Sequence, residues 1–141
     1  MKTTLLLVLT IGFISLTGCA HNNTGTASLI NTYWKLVEIK GAAVAVSDNQ
    51  REPHIVLNTE RRVAGSDGCN RMMGGYQVSG DKLQFTQMAG TRMACMQGAE
   101  QAQLIGATLP QVASYDIAGD QLELRDAGGV VIARFKAVAL P

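Results

Sequence analysis

One ten-residue pattern occurs twice in this chain, and it restricts the architecture more than any other feature. Tyr76-Gln77-Val78-Ser79-Gly80-Asp81-Lys82-Leu83-Gln84-Phe85 is matched by Tyr115-Asp116-Ile117-Ala118-Gly119-Asp120-Gln121-Leu122-Glu123-Leu124. Both read Tyr-x-apolar-x-Gly-Asp-x-Leu-x-apolar. Alternation of period two puts the apolar side chains on one face of an extended strand. Gly-Asp between the arms suits a tight hairpin turn, because glycine tolerates positive φ. The echo is either a repeated structural unit or two instances of a common hairpin. Either way the chain is committed to antiparallel pairing.

Further strands follow by the same logic. Tyr33 to Ile39 is rich in β-favouring residues, with Trp34 and Leu36 on one face, and Gly41 ends it. The stretch from Ala42 to Glu52 reads as a loop with a short strand at Val44 and Val46. Pro53 precedes a strand His54–Leu57, and Asn58-Thr59-Glu60 turns into Arg61–Gly65. Asp126-Ala127-Gly128-Gly129 leads into a last strand from Val130 to Lys136. Ala102, Ile105, Leu109 and Val112 recur at spacings of three and four, the signature of one apolar helix face. Proline inside a helix loses a hydrogen bond and clashes with the preceding turn. The expected helix therefore runs from about Gly98 to Leu109, kinked or ended near Pro110. The fold class is mainly β, α+β at the margin: an antiparallel, curled or barrel-like sheet of about eight short strands with one helix at an open end. Closure is favoured because it removes exposed strand edges.

The start of the chain is not fold. Lys2 precedes an apolar run from Leu5 to Leu16, too short for a spanning helix and typical of a secretory signal. Leu16-Thr17-Gly18-Cys19 resembles a bacterial lipobox, which predicts cleavage before Cys19 and its lipidation; the alternative is an ordinary signal peptide that contains Cys19. Multiple acyl chains anchor stably where one does not. Ala20 after the cysteine, rather than Asp, points to the outer membrane with the domain facing the periplasm. Residues 19–31 are small and polar and read as an acylated tether, leaving 32–141 as one domain.

Without Lys2, eleven basic side chains face eleven acidic ones, so nothing argues for nucleic acid. Three cysteines become an even pair once Cys19 is set aside. In an exported domain Cys69 and Cys95 are either a disulfide or two buried thiols.

The segment Gly65–Cys95 concentrates both cysteines of the domain, dense glycine and Met72, Met73, Met88 and Met93, with Met96 just beyond. Gly65-Ser66-Asp67-Gly68 lacks the lysine and hydroxyl residue of a phosphate loop. The domain's only histidine is His54, which leaves no serine triad and a cysteine nucleophile without a placed base. Asp67 and Asn70 suit turn building. Arg71 and Arg92 form a polar patch or pair with Asp67 or Glu100. The methionines serve as Cu(I) ligands, as core filling or as an adaptable surface. The candidate binding surface is Asn70, Arg71, Met72, Met73, Arg92 and Met93, with no catalytic residue, metal or cofactor.

Trp34-x-Leu36, Val63-x-Gly65, Gly68-Cys69-Asn70-Arg71, Gly75-Tyr76 and Thr91-Arg92-Met93-x-Cys95, followed by the helix and Tyr115, resemble the META domain. Within that group the chain looks like the heat-shock protein HslJ family of bacterial lipoproteins. The resemblance covers Trp34 to Phe135. It implies a barrel-like β domain with one helix, an envelope lipoprotein linked to stress, no enzyme activity, and the same two cysteine positions. The expected function is non-enzymatic binding of a protein, peptide or lipid partner. The alternative is a sulfur-based Cu(I) or redox protein.

Overall fold

The computed structural model describes residues 25–139, apart from positions 47 and 49. The signal segment, Cys19 and the first part of the tether lie outside the described residues. The elements are β1 (Tyr33–Ile39), β2 (Ala42–Ala43), β3 (His54–Leu57), β4 (Arg62–Ser66), β5 (Arg71–Ser79), β6 (Lys82–Gly90), α1 (Ala99–Thr108), β7 (Ser114–Ala118), β8 (Gln121–Arg125) and β9 (Val131–Val138). From β3 onward each strand pairs with the next, β1 pairs with both β3 and β9, and the sheet closes into a ring. Every strand ladder is antiparallel. Across the closure Arg134 on β9 bonds Glu38 on β1 and Glu123 on β8, an outer-face ion ladder.

The two copies of the pattern fold alike. Tyr76 faces Phe85 and Val78 faces Leu83, as Tyr115 faces Leu124 and Ile117 faces Leu122. Gly80 and Gly119 take the same turn position at φ 60° and 62°, where a side chain would strain the backbone. Inside the ring Trp34, Leu57, Leu83, Leu122 and Leu124 are sealed from solvent. The void beneath α1, between Leu36, Ile55, Ile105 and Phe135, is only about 10 Å³. That is at the lower limit for one water, so the ring is a packed core and not a pore.

The predicted helix face is buried as expected at Ala102, Ile105, Leu109 and Val112. Leu109–Gln111 continues α1 as a 3-10 turn with Pro110 in its first positions. There the missing proline N–H removes no needed bond.

Two expectations are corrected. The short strand lies at Ala42–Ala43, not at Val44 and Val46. Lys40 and Gly41 both take positive φ, 49° and 81°, so the chain reverses at once and pairing starts at Ala42. The tether is shorter than composition suggested. The Ala27 N–H donates to the Gly119 carbonyl at 2.8 Å, and Ile30 bridges Leu57. Leu29 is 7% exposed, and its carbonyl accepts the indole N–H of Trp34 at 3.1 Å. The fold therefore begins before Thr32.

The ring has two distinct ends. Tyr33, Leu57 and Val138 share one end with the Gly80 and Gly119 turns, as the registers require. Ile39, Ser66–Arg71 and Gly90 lie at the other, below α1.

Candidate functional site

At the α1 end the chain turns from β4 into β5 through Asp67-Gly68-Cys69-Asn70. Asp67 is buried and organises this turn. Its Oδ1 accepts the Cys69 N–H at 2.8 Å and the Asn70 N–H at 2.5 Å, and its Oδ2 accepts the Asn70 side-chain amide at 3.1 Å. A carboxylate engaged by three donors is held in place. The Ser66 hydroxyl accepts the Gly68 N–H at 3.0 Å, and Gly68 takes φ 97°.

Asn70 then reaches across to the segment after β6. Its Oδ1 accepts the Met93 N–H at 2.8 Å. The Thr91 hydroxyl accepts the Arg71 N–H at 3.1 Å, and the Thr91 N–H donates to the Arg71 carbonyl at 3.0 Å. The Cys69–Cys95 disulfide, with Cα atoms 6.0 Å apart, adds a covalent tie between the same two segments. This resolves the choice that the cysteine count left open.

Two clefts flank this tied corner. One, of about 410 Å³, is lined by Asp67, Met72, Met88, Thr91, Arg92 and Leu109, with Gly90 and Gly106 at its walls. The other, of about 620 Å³, is lined by Arg51, Asn70, Arg71, Met93, Met96 and the disulfide. Among the described residues neither Arg71 nor Arg92 forms an ion pair, so the pairing with Asp67 or Glu100 does not occur.

The predicted surface is therefore split. Asn70, Arg71 and Met93 meet on the larger cleft, and Arg92 serves the smaller. Met72 is buried and forms part of the smaller cleft's lining, so it is not an exposed contact. Met73 is exposed and lines neither cleft. Sequence reasoning missed Arg51 and the Thr91 hydroxyl. Arg51 comes from a loop with no periodic signal. Thr91 belongs to the Thr-Arg-Met motif, but its bond to β5 is a tertiary contact.

His54 is absorbed elsewhere. Its ring stacks on Tyr33 with centroids 4.4 Å apart. Beside the stack the Tyr33 hydroxyl donates to Glu52 at 3.0 Å, and Lys35 pairs with the same carboxylate at 2.7 Å. Burial, then the hydrogen bond and charge of Glu52, push Tyr33 from 10.0 up to about 12. The hydrogen bond from Lys35 is the main cause holding Glu52 below the usual carboxylate value.

Residues 27–139 match the META domain as a family. A protein from Burkholderia xenovorans, solved by NMR, is 30% identical with a TM-score of 0.62, covering 79% of this chain and 85% of its own. A second NMR structure is 28% identical with a TM-score of 0.60, covering 75% and 88%. The crystal structure of a DUF4847 family protein from Bacteroides vulgatus shares the fold at 13% identity, with a TM-score of 0.56 and coverage of 80% and 96%. Among curated proteins no match is found.

Proposed function

The chain belongs to the META domain family, and from that premise we propose that it is a non-enzymatic envelope lipoprotein of the HslJ type that acts in stress by binding a partner. Cys19 carries the anchor, the outer membrane holds it, and the domain faces the periplasm. The contact surface is the tied corner and its two clefts.

The observation that carries this reading is the corner itself. Asp67, Asn70, Thr91 and the disulfide are spent on rigidity, while Arg71, Arg92, Met93 and Met96 remain directed to the clefts. Rigid backbone with adaptable side chains lowers the ordering cost of binding. The sulfur-metal alternative loses both thiolates to the disulfide.

Substitution separates binding from scaffolding. Arg71→Ala and Arg92→Ala are expected to weaken crosslinked partner capture in the envelope while leaving the melting temperature nearly unchanged. If both unfold the domain, the corner is scaffold and the reading fails. An envelope substrate turned over by purified protein, with loss of turnover in folded His54→Ala, would also end it.

A further inference from the structure

Hydrogen bonds do not close the ring along the whole of β6. Its ladder with β7 consists of Lys82 opposite Ser114. Around that point the Leu83 N–H donates to the Ala113 carbonyl at 3.1 Å, and the Tyr115 N–H to the Asp81 carbonyl at 2.9 Å. Above it the chain leaves the sheet into α1 and the 3-10 turn, and no strand pairs with that side of β6 up to Gly90 among the described residues.

The backbone direction of this edge can be read from its neighbours. The Thr91 N–H points to β5, because it donates to the Arg71 carbonyl. Groups alternate along an antiparallel strand, so Gly90 and Met88 aim their N–H and C=O away from β5. That direction is toward the smaller cleft, whose lining includes Met88, Ala89 and Gly90. Its apolar floor is Met72, Met88 and Leu109, and Gly106 of α1 leaves open space where a side chain would stand. Arg92 adds a cation without an ion-pair partner among the described residues. Asp67 also lines the cleft, but its oxygens are engaged by Cys69 and Asn70.

We propose that the Met88–Gly90 edge of β6 accepts an extended segment of another protein as an added strand, with an apolar side chain over Met72, Met88 and Leu109 and a carboxylate against Arg92. It rests on the binding reading above and names the ligand class. Edge addition supplies affinity through main-chain bonds and specificity through alternate side chains. The lower part of the same edge already takes backbone partners from the Ala113–Tyr115 segment. A strand edge without a strand partner favours a peptide over an acyl chain, which has no groups to pair with it. A second copy is disfavoured by the bulge in which Gln87 and Met88 oppose Gly74, with Gln87 at φ 49°. Such a bulge interrupts long edge-to-edge pairing.

The test is an NMR titration with amide hydrogen exchange. The probes are short amide-capped peptides alternating valine with glutamate, the valine–lysine counterpart, and a backbone N-methylated valine–glutamate version. The valine–glutamate peptide is expected to slow exchange at Met88 and Gly90 by about tenfold or more, as new backbone bonds should. The N-methylated peptide should not bind. Arg92→Gln should erase the preference for glutamate over lysine. Gly106→Leu should fill the cleft and abolish binding with the melting temperature kept or raised. Unprotected Met88 and Gly90 amides, equal binding of the N-methylated peptide, or undiminished binding by folded Gly106→Leu overturns the proposal. The same amides protected by anionic lipid vesicles, or by self-association without peptide, overturns it as well. Shifts confined to Arg51, Arg71 and Met93 remove the edge and leave the general binding reading standing, which partner capture by the arginine variants decides separately.

Discussion

At the scale of single residues, backbone proximity and proton affinity set the sharpest expectations. A Cβ on Gly65 would stand 2.0 Å from the His54 carbonyl oxygen on the paired strand. Backbone cannot step aside as a flexible side chain can. Gly65→Ala should therefore lose at least about 2 kcal/mol in urea unfolding, within the range of severe packing substitutions. Tyr33 gives a pH signature. Its folded value near 12 lies above the ordinary 10.0, so the folded state holds the phenolic proton more tightly. That contribution is complete below pH 10 and is lost as pH rises toward 12. Unfolding measured across this window should show stability falling with pH, and Tyr33→Phe should flatten that part of the profile. An unchanged slope in Tyr33→Phe would assign the fall to other groups.

At the scale of elements, the disulfide is the test of how the corner is held. The cysteines are 26 positions apart, and closing such a loop is worth about 3.5 kcal/mol in the chain-entropy account. Cys95→Ala should cost about that much in denaturant unfolding, with the β5–β6 ladder still protected in hydrogen exchange. Loss of protection throughout β5 and β6 would mean that the disulfide holds the sheet itself. The hairpins were legible from sequence because their determinants are local: alternation, a Gly-Asp turn and an apolar partner opposite. The helix was legible for the same reason. Pairing of Met72 and Met73 on one surface was not sound, since adjacent strand residues point to opposite faces. Alternation from Tyr76 back through Gly74 already places Met72 inward. The contribution of Arg51 was not legible, because only tertiary contacts bring the loop before β3 against the disulfide.

At the scale of the whole molecule, the boundary of the domain matters most. Composition placed residues up to Asn31 in the tether, yet Leu29 is a core side chain whose carbonyl satisfies Trp34. A protein beginning at residue 32 should be less stable than one beginning at residue 25 by about 2 kcal/mol or more, the range for deleting a buried leucine side chain. Equal melting temperatures would restore the longer tether. The ring also has mechanical polarity. Ala27 joins the sheet beside the Gly119 turn, whereas Asn70 and Cys95 lie beyond the opposite strand ends. Tension between the N-terminus and a protein gripped at the corner would run along the strands. The ladder bonds of neighbouring strands would then share the load in shear rather than open one after another like a zipper. A domain loaded this way resists unfolding under tension better than one whose strands are peeled apart singly.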